Sequence, residues 1–184
     1  MDYTDISDAD LVVEAKTGSQ LAFRELTNRY WPKLERYVLR LAPKTAESED
    51  IVQDAFVKIY LNLQSYTPRT KFSTWIYRIT HNTLIDHVRS LKYRATPFFD
   101  PEELFPHPVA PTQPDTDAEK KAIRTMLDEH LADLHTKYRI PLVLYYFEDM
   151  NYKEISDVLH LPTSTVGIRL RRGLALLRKK VLVP

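Results

Sequence analysis

The sequence predicts an all-α protein made of two helical domains joined by a proline-rich acidic linker. Three observations carry that expectation. Apolar residues recur at steps of three and four over most of the 184 residues, and no stretch alternates convincingly with period two. Six of the twelve prolines fall between Pro97 and Glu119, together with six acids and no Lys or Arg, a composition that blocks helix and stays extended. The flanking pieces, of about 95 and about 65 residues, are each long enough to fold alone. The expected domains are residues 1–96 and 119–184, with 97–118 as the linker.

The elements follow in chain order. Ser7 followed by Asp10 is an imperfect capping cue for a short helix that Gly18 ends. Phe23, Leu26, Tyr30, Leu34, Tyr37, Val38 and Leu41 form the stripe of a second helix, bent at Pro32. Ile51, Val52, Ala55, Phe56, Ile59 and Leu63 form a third. Phe72, Trp75, Ile76, Ile79 and Thr83 begin a fourth that continues to about Leu91. Beyond the linker, Ile123, Met126, Leu127, Leu131 and Leu134 make a fifth, and Lys137 to Phe147 a sixth that has to accommodate Pro141. Two more helices complete the chain.

Composition narrows the function classes. With 43% hydrophobic and 28% charged residues the chain can bury a core. Cysteine is absent, which removes disulfides, thiolate metal sites and cysteine nucleophiles and suits a reducing cytoplasm. The only glycines are Gly18, Gly167 and Gly173, so no glycine-rich phosphate loop exists. Apolar runs fall short of a membrane span and the start is acidic, so direct membrane insertion and export are not expected. No cofactor or metal is expected.

The net charge of +1 hides two basic islands. Val158 to Pro184 carries six Arg and Lys and no acid, and Tyr66 to Thr96 carries six against Asp86 alone. Local charge decides where phosphates dock, so two contacts with a polyanion are indicated.

Within the C-terminal island, Asn151 and Glu154 can cap each other to start a helix running to Leu159, and His160-Leu161-Pro162 breaks it. Thr163 or Ser164 can cap a longer helix to about Leu182, giving a helix-turn-helix. At 100 degrees per residue, Val166, Leu170, Leu174 and Leu177 gather inward, while Ser164, Ile168, Arg171, Arg172, Ala175 and Lys179 gather outward. An aliphatic stripe that fixes the angle and arginines that reach phosphates or guanine edges are what a major-groove reader needs.

In the N-terminal island, Trp75, Arg78, Asn82, Asp86 and Arg89 line one side of the fourth helix, preceded by the aromatic and cationic turn Ser65 to Phe72. Aromatic faces stack on unpaired bases, cations hold the backbone, and an amide reads a base edge, so this side suits single-stranded or opening DNA. Tyr and Trp are, however, more often core residues than base platforms. On the third helix, Asp50, Gln53, Asp54, Val57, Leu61 and Gln64 lie opposite the buried stripe. Two aliphatics inside an acidic rim fit either a protein docking site or packing against another segment.

These residues resemble a known family. Glu49-Asp-Ile-Val-Gln-Asp-Ala-Phe56, then Phe72-Ser-Thr-Trp-Ile-Tyr-Arg-Ile79 with Asn82-Thr83, and finally Tyr152-Lys-Glu-Ile155 with Thr165-Val166, are similar to motifs of the extracytoplasmic-function (ECF) sigma factors of the sigma-70 family. The resemblance implies a region 2 bundle, a region 4 helix-turn-helix, and a non-enzymatic subunit that binds core RNA polymerase and promoter DNA. It assigns Asp50, Gln53, Asp54 and Phe56 to polymerase docking, with Val57 and Leu61 beside them. Tyr66, Arg69, Lys71, Phe72, Trp75, Arg78, Asn82 and Arg89 would engage the −10 element, where a base flips into a pocket. Thr163, Ser164, Thr165, Ile168, Arg169, Arg171 and Arg172 would lie at the −35 element. The family is commonly held by an anti-sigma factor. Gly167-Ile168 departs from the family, which often has a basic residue and serine there.

Two other classes compete. A helix-turn-helix regulator would read duplex DNA without polymerase. An enzyme would use His81, Asp86 and His87, but His81 and His87 do not share a helix face, a poor geometry for a common metal.

Overall fold

The computed structural model describes residues 3, 5–42, 48–92 and 117–181, which hold eight α-helices and no strand. The chain divides into two units, Met1–Arg94 and Ala95–Pro184. Residues 97–116 of the proline-rich segment lie outside the described residues. No helix among the described residues is long and apolar enough to cross a membrane.

The first unit contains α1 (Asp8–Lys16), α2 (Gln20–Leu41), α3 (Ser48–Asn62), a 3-10 turn at Leu63–Ser65, and α4 (Phe72–Lys92). The Ser7 side chain accepts from the Asp10 amide and Asp8 and Asp10 sit in the first turn, satisfying an orphan donor and complementing the dipole. Thr17 closes α1, and Gly18 at φ +100 takes a left-handed conformation open to glycine without strain. Ser19 caps α2, which runs unbroken through Pro32. Leu26, Tyr30, Leu34, Tyr37, Val38 and Leu41 are buried as expected. Phe23 is only half-buried and meets Tyr60 edge-on, with centroids 4.9 Å apart; Ala22 takes the inward position instead. α2 packs on α1 and α3, and α3 on α4. Between them Leu11, Ile51, Val52, Ala55, Ile59 and Ile76 are almost fully buried, each large aliphatic contributing about 1.5–3 kcal/mol.

The second unit contains α5 (Asp117–His130), a 3-10 turn at Leu131–Asp133, α6 (Thr136–Tyr146), α7 (Tyr152–Leu159) and α8 (Thr163–Val181). α6 carries Pro141 in its buried interior without breaking. α8 packs against α5, α6 and α7. Its inward stripe is Val166, Leu170, Gly173 and Leu177, whereas Leu174, expected inward, is half-buried. The reason is steric. A Cβ at Gly173 would lie 2.8 Å from Leu142 Cδ1 and 3.2 Å from Tyr138 Cβ, so α6 meets α8 on the glycine itself.

The two helical glycines should therefore respond in opposite directions. Gly173→Ala overpacks the α6–α8 contact, with Leu142 fully buried and unable to yield; the cost of about 1–3 kcal/mol exceeds the gain of at most about 1 kcal/mol in helix propensity. A Cβ at Gly167 would meet Tyr152 at 3.4 Å, an ordinary contact, so Gly167→Ala should stabilise by about 0.5–1 kcal/mol. Urea denaturation reads both signs.

Candidate nucleic-acid interface

The second unit's helix-turn-helix is built by local hydrogen bonds. Asn151 Oδ1 accepts from the Glu154 amide at 3.0 Å and Glu154 Oε2 from the Asn151 amide at 2.8 Å, the reciprocal cap expected at this step. His160 ends α7 in the left-handed region at φ 54. The turn is then closed by Leu161, whose amide donates to the Ser156 carbonyl at 3.2 Å while the Ser156 hydroxyl donates to the Leu161 carbonyl. The Val166 amide donates to the Pro162 carbonyl at 3.1 Å, so the cap position falls on Pro162. Thr163 and Ser164, expected as alternative caps, instead occupy the exposed first turn of α8.

Of the residues expected outward on α8, all but Ile168 are exposed. Ser164, Arg171, Arg172 and Lys179 are exposed, as is Thr163, while Thr165, Ile168 and Arg169 are half-buried. Lys180 pairs with Asp133 at 3.3 Å, at the far end of the helix. Gly167 rests on the Tyr152 ring, which meets Tyr145 edge-on at 5.6 Å. Burial pushes the Tyr152 hydroxyl above its ordinary value, so it stays neutral beneath the helix.

On the first unit, the structure packs part of the expected strand-contact set inward. Tyr66, Phe72 and Trp75, expected to stack on bases, are each less than 10% exposed (8%, 6% and 7%). Their centroids lie 5.2–5.7 Å apart, Phe72 also meets Tyr30 at 5.8 Å, and the Tyr66 hydroxyl donates to the Thr70 carbonyl at 2.8 Å. The three rings satisfy one another and shape the turn from within. Asn82 and Arg89 are exposed on α4, Arg78 is half-buried, and Arg69 and Lys71 are exposed on the turn. Beside them an open depression of about 390 Å³ is lined by Trp75, Arg78, Asn82 and Asp86 of α4 and by Lys58 and Asn62 of α3.

The outer face of α3 bears Asp50, Gln53 and Asp54, all exposed, with Val57 52% and Leu61 72% exposed. Phe56 departs from the docking assignment. It is 8% exposed and stacks on Trp31 with centroids 5.5 Å apart, so its ring belongs to the packing between α2 and α3. Tyr60, 56% exposed, joins the face although the sequence reading does not include it. The signal for it is the step from Gln53 through Val57 to Tyr60, which a helix places on one side.

His81 is buried and shares a 3.0 Å hydrogen bond with the Tyr37 hydroxyl, which accounts for it structurally. Among the described residues no cluster of His, Asp and Glu is arranged to hold a metal ion. A polar node that spacing does not reveal joins α1 to α2. Asp8 accepts from Arg29 Nη1 at 2.8 Å and from the Tyr30 hydroxyl, and Arg29 also pairs with Glu25 at 2.9 Å.

Comparison with known proteins adds identity to this geometry. The family model of Sigma-70 region 2 matches residues 26–94 and that of Sigma-70 region 4 matches residues 124–177. The chain is 31% identical over 178 residues to the ECF RNA polymerase sigma factor SigW of Bacillus subtilis, covering 92% of this chain and 94% of SigW. It is 27% identical over 183 residues to the ECF RNA polymerase sigma-E factor of Escherichia coli K12, covering 96% and 95%. In fold it is similar to CnrH, solved with the cytosolic domain of CnrY (TM-score 0.68, 24% identity, 95% of this chain and 96% of that one). It is similar also to the sigma factor RpoE of Bartonella quintana, solved with the anti-sigma factor NepR (TM-score 0.66, 20% identity, 88% and 97%). Two helical units matching regions 2 and 4 define an RNA polymerase sigma factor. The chain belongs to the sigma-70 family, in its ECF group.

Burial first, and donation to Asp8 second, push the Tyr30 hydroxyl well above its ordinary value. A folded-state value above the unfolded one means that folding holds the protonated form, so this stability is complete below about pH 10 and is lost as pH rises past it. Chemical denaturation of the protein should show that alkaline loss, and Tyr30→Phe should remove part of it.

Proposed function

We propose that this sigma factor docks on bacterial core RNA polymerase through the outer face of α3, opens the −10 element with α4 and the turn before it, and reads the −35 element with α8. The observation that carries the reading is the division of α3. Lys58 and Asn62 turn towards the depression on α4, while Asp54, Val57, Tyr60 and Leu61 stand exposed. An apolar centre with an acidic border suits a protein partner, whereas Asn82, Arg78 and the cationic turn suit an unpaired strand whose extruded base enters the depression. Arg171 and Arg172 supply phosphate or guanine contacts in the major groove, with Ile168 offering an apolar contact such as a thymine methyl.

Each DNA contact is modest alone, and a polymerase that holds both units sets their effective concentration, so specificity comes from linking them. The polymerase supplies the chemistry, and this chain supplies the address. It works in the cytoplasm and is held inactive by an anti-sigma protein, as the complexes of CnrH and RpoE suggest. A helix-turn-helix regulator acting without polymerase is disfavoured because residues 26–94 match Sigma-70 region 2. Run-off transcription from a genomic library with purified core polymerase, with and without the protein, tests the whole reading; specific transcripts are expected, and no association with core at low salt overturns it.

Leu61→Asp should weaken core binding more than about tenfold in a pull-down titration while leaving the urea midpoint unchanged, because the side chain is 72% exposed. Arg171→Ala and Arg172→Ala should each lower the salt slope of promoter binding by about 1, measured by titration at several salt concentrations. Trp75→Ala is a poor probe of strand opening because truncating a buried Trp costs about 3–5 kcal/mol of stability. Exposed Asn82→Ala isolates it.

A further inference from the structure

The short N-terminal helix does more than cover the core. α1 spans nine residues, about 13.5 Å along its axis; its C-terminal end is bonded directly to the turn between Tyr66 and Phe72, and its N-terminal end reaches Phe72 through Tyr30. At its C-terminal end, Lys16 Nζ donates to the Tyr66 carbonyl at 2.5 Å, and the ammonium lies 5.8 Å from the Tyr66 ring centroid. Gln64 Nε2 returns a hydrogen bond to the Lys16 carbonyl at 2.6 Å. At its N-terminal end, Asp8 accepts from the Tyr30 hydroxyl, and the Tyr30 ring abuts Phe72 at 5.8 Å. Arg29 locks that end further, donating to Asp8, to the Ile6 carbonyl at 2.8 Å and to the Tyr3 carbonyl at 2.8 Å.

The turn so framed carries Arg69 and Lys71, both exposed. Its internal hydrogen bond, from the Tyr66 hydroxyl to the Thr70 carbonyl, starts from the residue that Lys16 holds. A turn of this kind has little apolar burial of its own outside Tyr66 and Phe72, and an unbraced turn loses binding to the entropy of ordering it.

We infer that Lys16 is a positioning residue for promoter opening: it braces the Tyr66–Phe72 turn in its strand-binding conformation without touching DNA. The inference rests on the reading of that turn as a contact to the −10 strand. A positioning residue and a phosphate contact separate by salt dependence, since only the second releases counterions when bound.

The test uses the full chain reconstituted with bacterial core polymerase. The probe is a fluorescent single-stranded oligonucleotide selected by that holoenzyme from a random-sequence pool. Lys16→Met keeps the aliphatic stem and removes the donor. It should weaken the probe about five- to tenfold, with core affinity and salt slope unchanged, and Lys16→Arg should restore most of the loss. Undiminished probe affinity in folded Lys16→Met overturns the inference, as does a flattened salt slope, which would put Lys16 itself on a phosphate. Should Lys16→Met fail to fold, exposed Gln64→Leu cuts the return bond to the same residue and is judged by probe affinity and salt slope at saturating core polymerase. Lys71→Ala and Asn82→Ala run alongside. If they weaken the probe and Lys16→Met does not, the brace alone is wrong; if neither weakens it, the reading of this face as the strand contact fails and takes the brace with it.

Discussion

The first unit depends on one constraint, that α4 has to be a core helix and, in the proposed function, a reading surface at once. Phe72, Trp75, Ile76, Tyr77, Thr80 and Leu84 are buried along it, while Asn82 and Arg89 are exposed. Its buried side leaves little rotational freedom, because Tyr77 meets Tyr37 edge-on at 5.3 Å and His81 bonds to the same Tyr37. Protein interiors are close-packed and do not deform continuously, so the angle at which Asn82 and Arg89 face solvent is set by α3 and α2 together. The aromatic residues nearest the turn serve the same end. They are held against one another, and the polar groups around them are delivered in fixed places.

In the second unit the equivalent constraint is the contact of α6 with α8. Gly173 allows Leu142 and the Cβ of Tyr138 to press on α8 where any side chain would hold them off. That contact, with Val166, Leu170 and Leu177 on the same side, fixes the rotation of α8 and so decides that Arg171 and Arg172 point outward. Gly167 does something related nearer the turn, where the Tyr152 ring comes within 3.4 Å of the point that a Cβ would occupy. The departure from the family pattern at Gly167-Ile168 thus has a consequence for packing.

What could be read from sequence and what could not divides by range. The Asn151–Glu154 cap, the Ser7 cap and the stop at Gly18 are local events, each satisfied within a few residues, and local chemistry predicts them. The two basic islands and the outward face of α3 follow from local charge and helical periodicity. Aromatic side chains resist such reading, since an aromatic in a turn serves equally as platform or as core until its neighbours are known. Tyr66, Phe72 and Trp75 are packed because Tyr30, far back in the chain, closes over Phe72. Phe56 is packed because Trp31 lies nearly parallel to it. Lys16 and Tyr66 are 50 residues apart, and Tyr37 and His81 are 44; nothing in composition or spacing joins such pairs. Gly173 is likewise illegible, because a glycine in a helix shows its purpose only when the opposing helix is present.

The same division says where promoter choice can vary without harm to the fold. Residues that hold α4 and α8 at their angles are buried and mutually dependent, so changing one costs stability. Those that meet DNA in the proposed function, Arg69, Lys71, Asn82, Arg171 and Arg172, are exposed and lie on surfaces whose direction is set from behind. A surface substitution there is usually within about 0.5 kcal/mol for folding yet is worth about 1–3 kcal/mol in base discrimination where it reaches a base edge. A sigma factor built this way can change its address by substitutions at the surface while the packed side that aims the helices stays as it is.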